Sequence, residues 1–143
     1  MAGYSGTPLW KKLGIKEGSL VLAVSAPAGF AKALEPLPAG ARLVRAMPAR
    51  GALDVAVAFV DRAKELTPTI TTLKARLAQA GGLWIGWPKK ASGVATDVTE
   101  DLVRETGLGL GLVDNKVCAI DETWSGLRVV WRKELRAAMR AGA

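Results

Sequence analysis

At 143 residues, half of them hydrophobic, the chain is long enough for one domain with a packed core, and no apolar run approaches the roughly 20 residues of a membrane-spanning helix. It holds no histidine and one cysteine, Cys118. This excludes Ser–His and Cys–His nucleophile pairs, histidine bases, internal disulfides and multi-cysteine metal sites. The net charge of +7 is uneven: residues 1–96 hold 13 basic and 5 acidic groups, residues 97–131 hold 3 and 7, and residues 132–143 hold 4 and 1.

The first six residues carry no apolar signal core, so a cytoplasmic location is expected. Thr7 and Pro8 cap and open a short helix that stops at Gly14, with Leu9, Trp10 and Leu13 on one face. Residues 19–24 form a continuous apolar strand, of the kind buried on both faces of a parallel sheet. Pro27 opens a short helix through Glu35, ended by Pro36 and Pro38. Residues 41–45 are a second strand, and residues 53–60, apolar and rich in valine, a third. Thr67 and Pro68 start a helix with Ile70, Leu73 and Leu77 at helical spacing, and Gly81-Gly82 ends it. Residues 83–87 are the fourth strand. A helix over 97–107 follows, with Asp97 and Glu100 as a capping pair and Val98, Leu102 and Val103 inward. Residues 112–120 are the fifth strand. The short turn 121–126 makes the sixth strand, residues 127–131, antiparallel to it. Residues 132–140 are a basic helical tail. The whole chain, 1–143, is expected to form a single domain.

The order β-α-β-β-α-β-α-β-β predicts an α/β fold: a three-layer, Rossmann-like sandwich with a mostly parallel six-stranded sheet ending in an antiparallel hairpin. That arrangement resembles the class I methyltransferase fold. Residues 53–60, with Asp54-Val55 near their start, resemble its fourth strand, and Gly81-Gly82-Leu83-Trp84-Ile85 resembles the entry to its fifth. On this mapping the third strand and its helix are missing. Three segments also resemble an uncharacterised bacterial family, domain-of-unknown-function family 3052: Ala2-Gly3-Tyr4-Ser5-Gly6-Thr7-Pro8-Leu9, Trp87-Pro88-Lys89-Lys90-Ala91-Ser92-Gly93 and Asp121-Glu122-Thr123-Trp124-Ser125-Gly126-Leu127. That resemblance implies no activity.

The methyltransferase resemblance implies a glycine-rich turn after strand one and a carboxylate at the end of strand two, which together hold S-adenosylmethionine. Here the turn is Ser25-Ala26-Pro27-Ala28-Gly29, and strand two ends at Arg45. The expectation is therefore a domain without a cofactor, non-catalytic, holding a small ligand or a protein partner. Two alternatives stand beside it: a divergent S-adenosylmethionine-dependent methyltransferase, and a nucleic-acid-binding accessory protein using the basic surface and tail. Neither a membrane partner nor a metal is expected.

The predicted sheet gathers its ligand candidates at the carboxyl edge, where open α/β sheets bind ligands. Ser25 follows strand one and Asp61 follows strand three. Trp87, Lys89, Lys90, Ser92 and Thr96 end strand four or follow it, and Glu122 and Trp124 lie in the hairpin turn. Lys89 and Lys90, with Ser92, Gly93 and Thr96, suit a small anion; the alternative is a solvated loop that caps the next helix. Asp61 with a nearby lysine suits acid–base work, or an ordinary surface ion pair. Asp121 and Glu122 read as turn formers before they read as a carboxylate pair. Trp124 either covers a pocket or folds back on the core. No catalytic residue is assigned.

Overall fold

Uninterrupted apolar runs become the centre of the sheet. The computed structural model describes residues 6–142. Strand β1 (Leu20–Val24) lies between β2 (Arg42–Val44) and β3 (Leu53–Phe59), both parallel to it. Strand β4 (Leu77–Pro88) runs parallel to β3. Strand β6 (Trp124–Trp131) is antiparallel to β4 and to β5 (Leu112–Ala119), giving the order β2-β1-β3-β4-β6-β5. Five strands thus share one direction and β6 alone is reversed, as the length of the last turn requires.

Alternation along each strand divides the core in two. On one face Leu22, Ala56, Ala58, Leu83 and Ile85 pack with Leu66, Ile70 and Leu73 of helix α3 (Leu66–Lys74) and Val103 of α4 (Glu100–Gly109). On the other, Val21, Ala23, Val55, Val57 and Trp84 pack with Leu13, which ends helix α1 (Leu9–Lys12), and with Phe30 and Leu34 around α2 (Phe30–Ala33). Burying each large apolar side chain contributes about 1.5–3 kcal/mol, so the central strands anchor the fold. Trp84 joins layers directly: its indole Nε1–H donates to the Leu13 carbonyl at 3.0 Å. Helix α5 (Lys133–Gly142) meets the sheet edge where Gln79 Nε2 donates to the Arg136 carbonyl.

Several element boundaries differ from expectation: β6 starts at Trp124 rather than Leu127, and those of α3, β4 and α4 move as well. Strand β4 starts at Leu77, six residues before Leu83, and α3 ends at Lys74. The Gly81-Gly82 pair lies inside the strand because backbone and side chains crowd it. A Cβ on Gly81 would stand 2.7 Å from the Leu53 carbonyl oxygen, and the β3–β4 register shifts between Leu53 and Val55. Helix α4 begins at Glu100, and its cap is Thr99, whose hydroxyl accepts from Leu102 N–H at 3.1 Å. Asp97 accepts instead from Ala63 N–H at 2.7 Å, a tertiary bond that local spacing does not reveal. Arg104 fixes α4 to β5, donating to Asp114 at 3.0 Å and to Glu100 and Asp101 on its own helix; Glu100 first and Asp114 second raise its pKa further above an already high value.

Candidate functional site

The parallel strands bring Ser25, Asp61 and Lys89 to the same end of the sheet, each just beyond the last residue of its strand. The crossovers from β1 to β2 and from β2 to β3 leave the topological switch between β1 and β3. The turn after β1 is conformationally special. Ser25 has φ +55° and Gly29 has φ +89°, so two left-handed residues fold the chain tightly ahead of α2. The turn closes through Phe30 N–H to the Pro27 carbonyl at 3.2 Å, and among the described residues no acceptor meets the N–H groups of Ala26, Ala28 and Gly29. Ser25 is exposed.

The loop after β4 is tightly bound to its neighbours. Thr96 Oγ1 donates to the Asp61 carbonyl at 2.7 Å and accepts from Val98 N–H, while Asp97 holds Ala63. Ser92 Oγ donates to the Lys89 carbonyl at 2.6 Å and accepts from Val94 N–H. Lys89 reaches across to the hairpin, its ammonium donating to the Asp121 carbonyl at 2.8 Å and its N–H to the Thr123 carbonyl at 2.8 Å. Asp121 Oδ1 accepts from Thr123 and Trp124 N–H groups, a turn closed by its own carboxylate. Lys90 and Glu122 are exposed on this rim, and Trp87 is buried among the α3–α4 side chains. The polar groups of Lys89, Ser92 and Thr96 therefore shape the loop. The Asp61 side chain is exposed and, among the described residues, accepts no hydrogen bond.

Two features of this edge were not apparent in the sequence. Phe30, Phe59 and Trp124 meet edge to face, with ring centroids 5.0 and 5.1 Å apart. They come from α2, β3 and β6, far apart in the chain, so no local pattern announces them. On the opposite face, a cavity of about 400 Å³ opens beside edge strand β2, lined by Leu22, Val24, Arg45, Met47, Thr69 and Leu73. It adjoins the carboxyl ends of β1 and β2, and its walls are largely apolar.

Comparison with known structures decides the fold. A ribosomal protein L11 methylase from Lactobacillus delbrueckii subsp. bulgaricus superposes with a TM-score of 0.60 at 14% identity, over 87% of this chain and 75% of that one. A SAM-dependent methyltransferase from Aquifex aeolicus gives 0.59 at 16% identity, over 85% and 86%.

The chain has the methyltransferase-type Rossmann fold.

Fibrillarin from Aeropyrum pernix, with natively bound S-adenosyl-L-methionine, shares it at a TM-score of 0.56 and 15% identity, over 87% of this chain and 69% of that one. No protein-family model matches the sequence, and no curated protein matches it. Among the described residues, no helix of this methyltransferase-type domain is long and apolar enough to cross a membrane.

The expectation of a domain without a cofactor is corrected by these neighbours. One is named for its dependence on S-adenosylmethionine, and another holds that molecule. The physical reason lies in the turn: Pro27 removes one backbone donor, yet among the described residues no acceptor meets three others beside it. The residues fit such a group in two respects, open amides at the switch point and an apolar cavity next to them. They depart in a third, since exposed Arg45 stands where the resemblance places a carboxylate.

Proposed function

We propose that the carboxyl edge between β1 and β3 binds S-adenosylmethionine and that the chain is a divergent methyltransferase. The observation that carries this reading is the left-handed turn at Ser25, set at the topological switch point with open amides at Ala26, Ala28 and Gly29. The cofactor's sulfonium would supply an activated methyl group. The open amides would hold its methionyl carboxylate, because backbone donors in a tight turn suit an anion. The cavity lined by Val24, Met47 and Leu73 would take the adenine ring. Asp61, exposed at the end of β3 and, among the described residues, without a hydrogen-bonding partner for its side chain, is an acid at this edge available to ribose hydroxyls or to a proton. Support for transfer over simple ligand holding comes from the neighbours, which are named as methylases and methyltransferases.

Calorimetric titration tests the proposal. Wild-type protein is expected to bind S-adenosylmethionine and its demethylated product in the micromolar range. Gly29→Val forces a β-branched residue to φ +89°, and is expected to abolish binding while the far-ultraviolet circular dichroism is retained. Absence of heat with either compound at millimolar concentration would overturn it.

A further inference from the structure

Arg128 occupies a position at odds with its surroundings. It lies in β6 opposite Trp84 of β4 and Lys116 of β5. Its guanidinium lies over Gly82, where a Cβ would come close to Nε and stand 2.6 Å from both Cζ and Nη2. The missing side chain at 82 thus makes the slot that the guanidinium fills. The group is half-buried, and burial depresses its pKa from the ordinary arginine range. Among the described residues no carboxylate pairs with it and no carbonyl accepts from it. Arg104 shows what this chain does with a structural arginine: three carboxylates surround that one. A partly desolvated guanidinium without a partner is costly to keep.

Arg128 lines a cavity of about 360 Å³ with Lys16, Glu17, Ser19, Asp54 and Ala80. This cavity lies at the amino edge of the sheet, by the first residues of β1 and β3, at the opposite end from the Ser25 turn. Its charges are arranged unequally. Asp54 already accepts from Leu20 N–H through Oδ2 at 2.8 Å, and Ser19 Oγ accepts from Lys16 N–H at 2.9 Å. Lys116, beside Arg128 on β5, donates to the Lys12 carbonyl. Among the described residues no carboxylate is within ion-pair distance of the guanidinium, while Glu17 and Asp54 supply acceptors in the same cavity.

We propose that this amino-edge cavity is a second ligand site, in which Arg128 and Lys16 bind the phosphate or carboxylate of a small hydroxyl-bearing metabolite. A guanidinium offers paired N–H donors matched to two oxygens of such a head group. Asp54 and Glu17 would accept from hydroxyls on the rest of the molecule. Nothing in this inference depends on cofactor binding at the other edge.

Arginine Nε–Hε resonances of the full chain, titrated with ribose 5-phosphate and separately with succinate, provide the test. The Arg128 signal is expected to shift saturably with at least one of them. Arg128→Gln is expected to bind about tenfold more weakly or worse, the effect of losing a charged hydrogen bond. Gly82→Ala displaces the flexible guanidinium without touching its charge, and is expected to weaken binding likewise while the fold is kept. Response to the phosphate alone, or to the carboxylate alone, identifies the head group. No saturable shift of Arg128 with either probe, or undiminished binding by a folded Gly82→Ala, would overturn the proposal.

Discussion

Replacing Trp84 by Phe should show how much one hydrogen bond between layers contributes. Trp84 is fully buried, and its indole donates to the Leu13 carbonyl at the end of α1. Phenylalanine keeps most of the apolar volume but has no donor. Leaving the buried carbonyl unsatisfied costs about 1–3 kcal/mol, and the smaller ring leaves a void worth about 1 kcal/mol more. The expected loss is therefore roughly 2–4 kcal/mol. For a domain of this size it corresponds to a fall in Tm of about 6–16 °C. Urea unfolding followed by far-ultraviolet circular dichroism measures it without relying on tryptophan emission. Trp131→Phe is the internal reference, since Trp131 is only half-buried and its Nε1–H meets the Leu77 carbonyl at 3.4 Å. It should cost under about 1 kcal/mol. Equal losses in the two variants, or a Trp84→Phe loss below that of Trp131→Phe, would refute the assignment of α1 to the sheet through this bond.

Thr99→Ala removes the cap of α4 and should cost about 1 kcal/mol in the same unfolding assay. Asp97→Ala should leave the amides of α4 protected from hydrogen exchange and speed exchange at Ala63, whose N–H it frees. Cys118 is raised above the ordinary thiol range, first by burial, with Lys12 and Lys116 opposing. The folded state then holds the thiol proton where the unfolded chain loses it. This contribution to stability is complete below the ordinary thiol pKa and is lost as pH rises through the folded one. Iodoacetamide should label native Cys118 more slowly than the urea-unfolded chain at pH 8; equal rates would contradict the burial.

Much of the sheet was readable because its strands announce themselves. Residues 53–59 are apolar except for Asp54 and include Val55 and Val57, and a four-residue connection between β5 and β6 leaves no room for a parallel crossover. The start of β4 was not readable: Leu77 falls in helical phase with Ile70 and Leu73, and paired glycines resemble a break. Crowding against the Leu53 carbonyl at Gly81 and against the Arg128 guanidinium at Gly82 explains the glycines within the strand. The cap of α4 was ambiguous for a similar reason. Thr96, Asp97 and Thr99 are all cap-forming residues, and long-range bonds to Asp61 and Ala63 engage the first two. At the site, residues following strand ends could be placed from topology alone. The ring trio and the slot over Gly82 could not, because both depend on register between distant strands.

The bonds from Thr96 to the Asp61 carbonyl and from Asp97 to Ala63 rivet the connections after β3 and β4 into one plate. Any rearrangement on that side must carry both connections together, whereas among the described residues no side-chain hydrogen bond ties the Ser25 turn to another connection, so it can adjust alone. Shape changes around an incoming molecule should therefore come from the α2 side, closing against a fixed jaw.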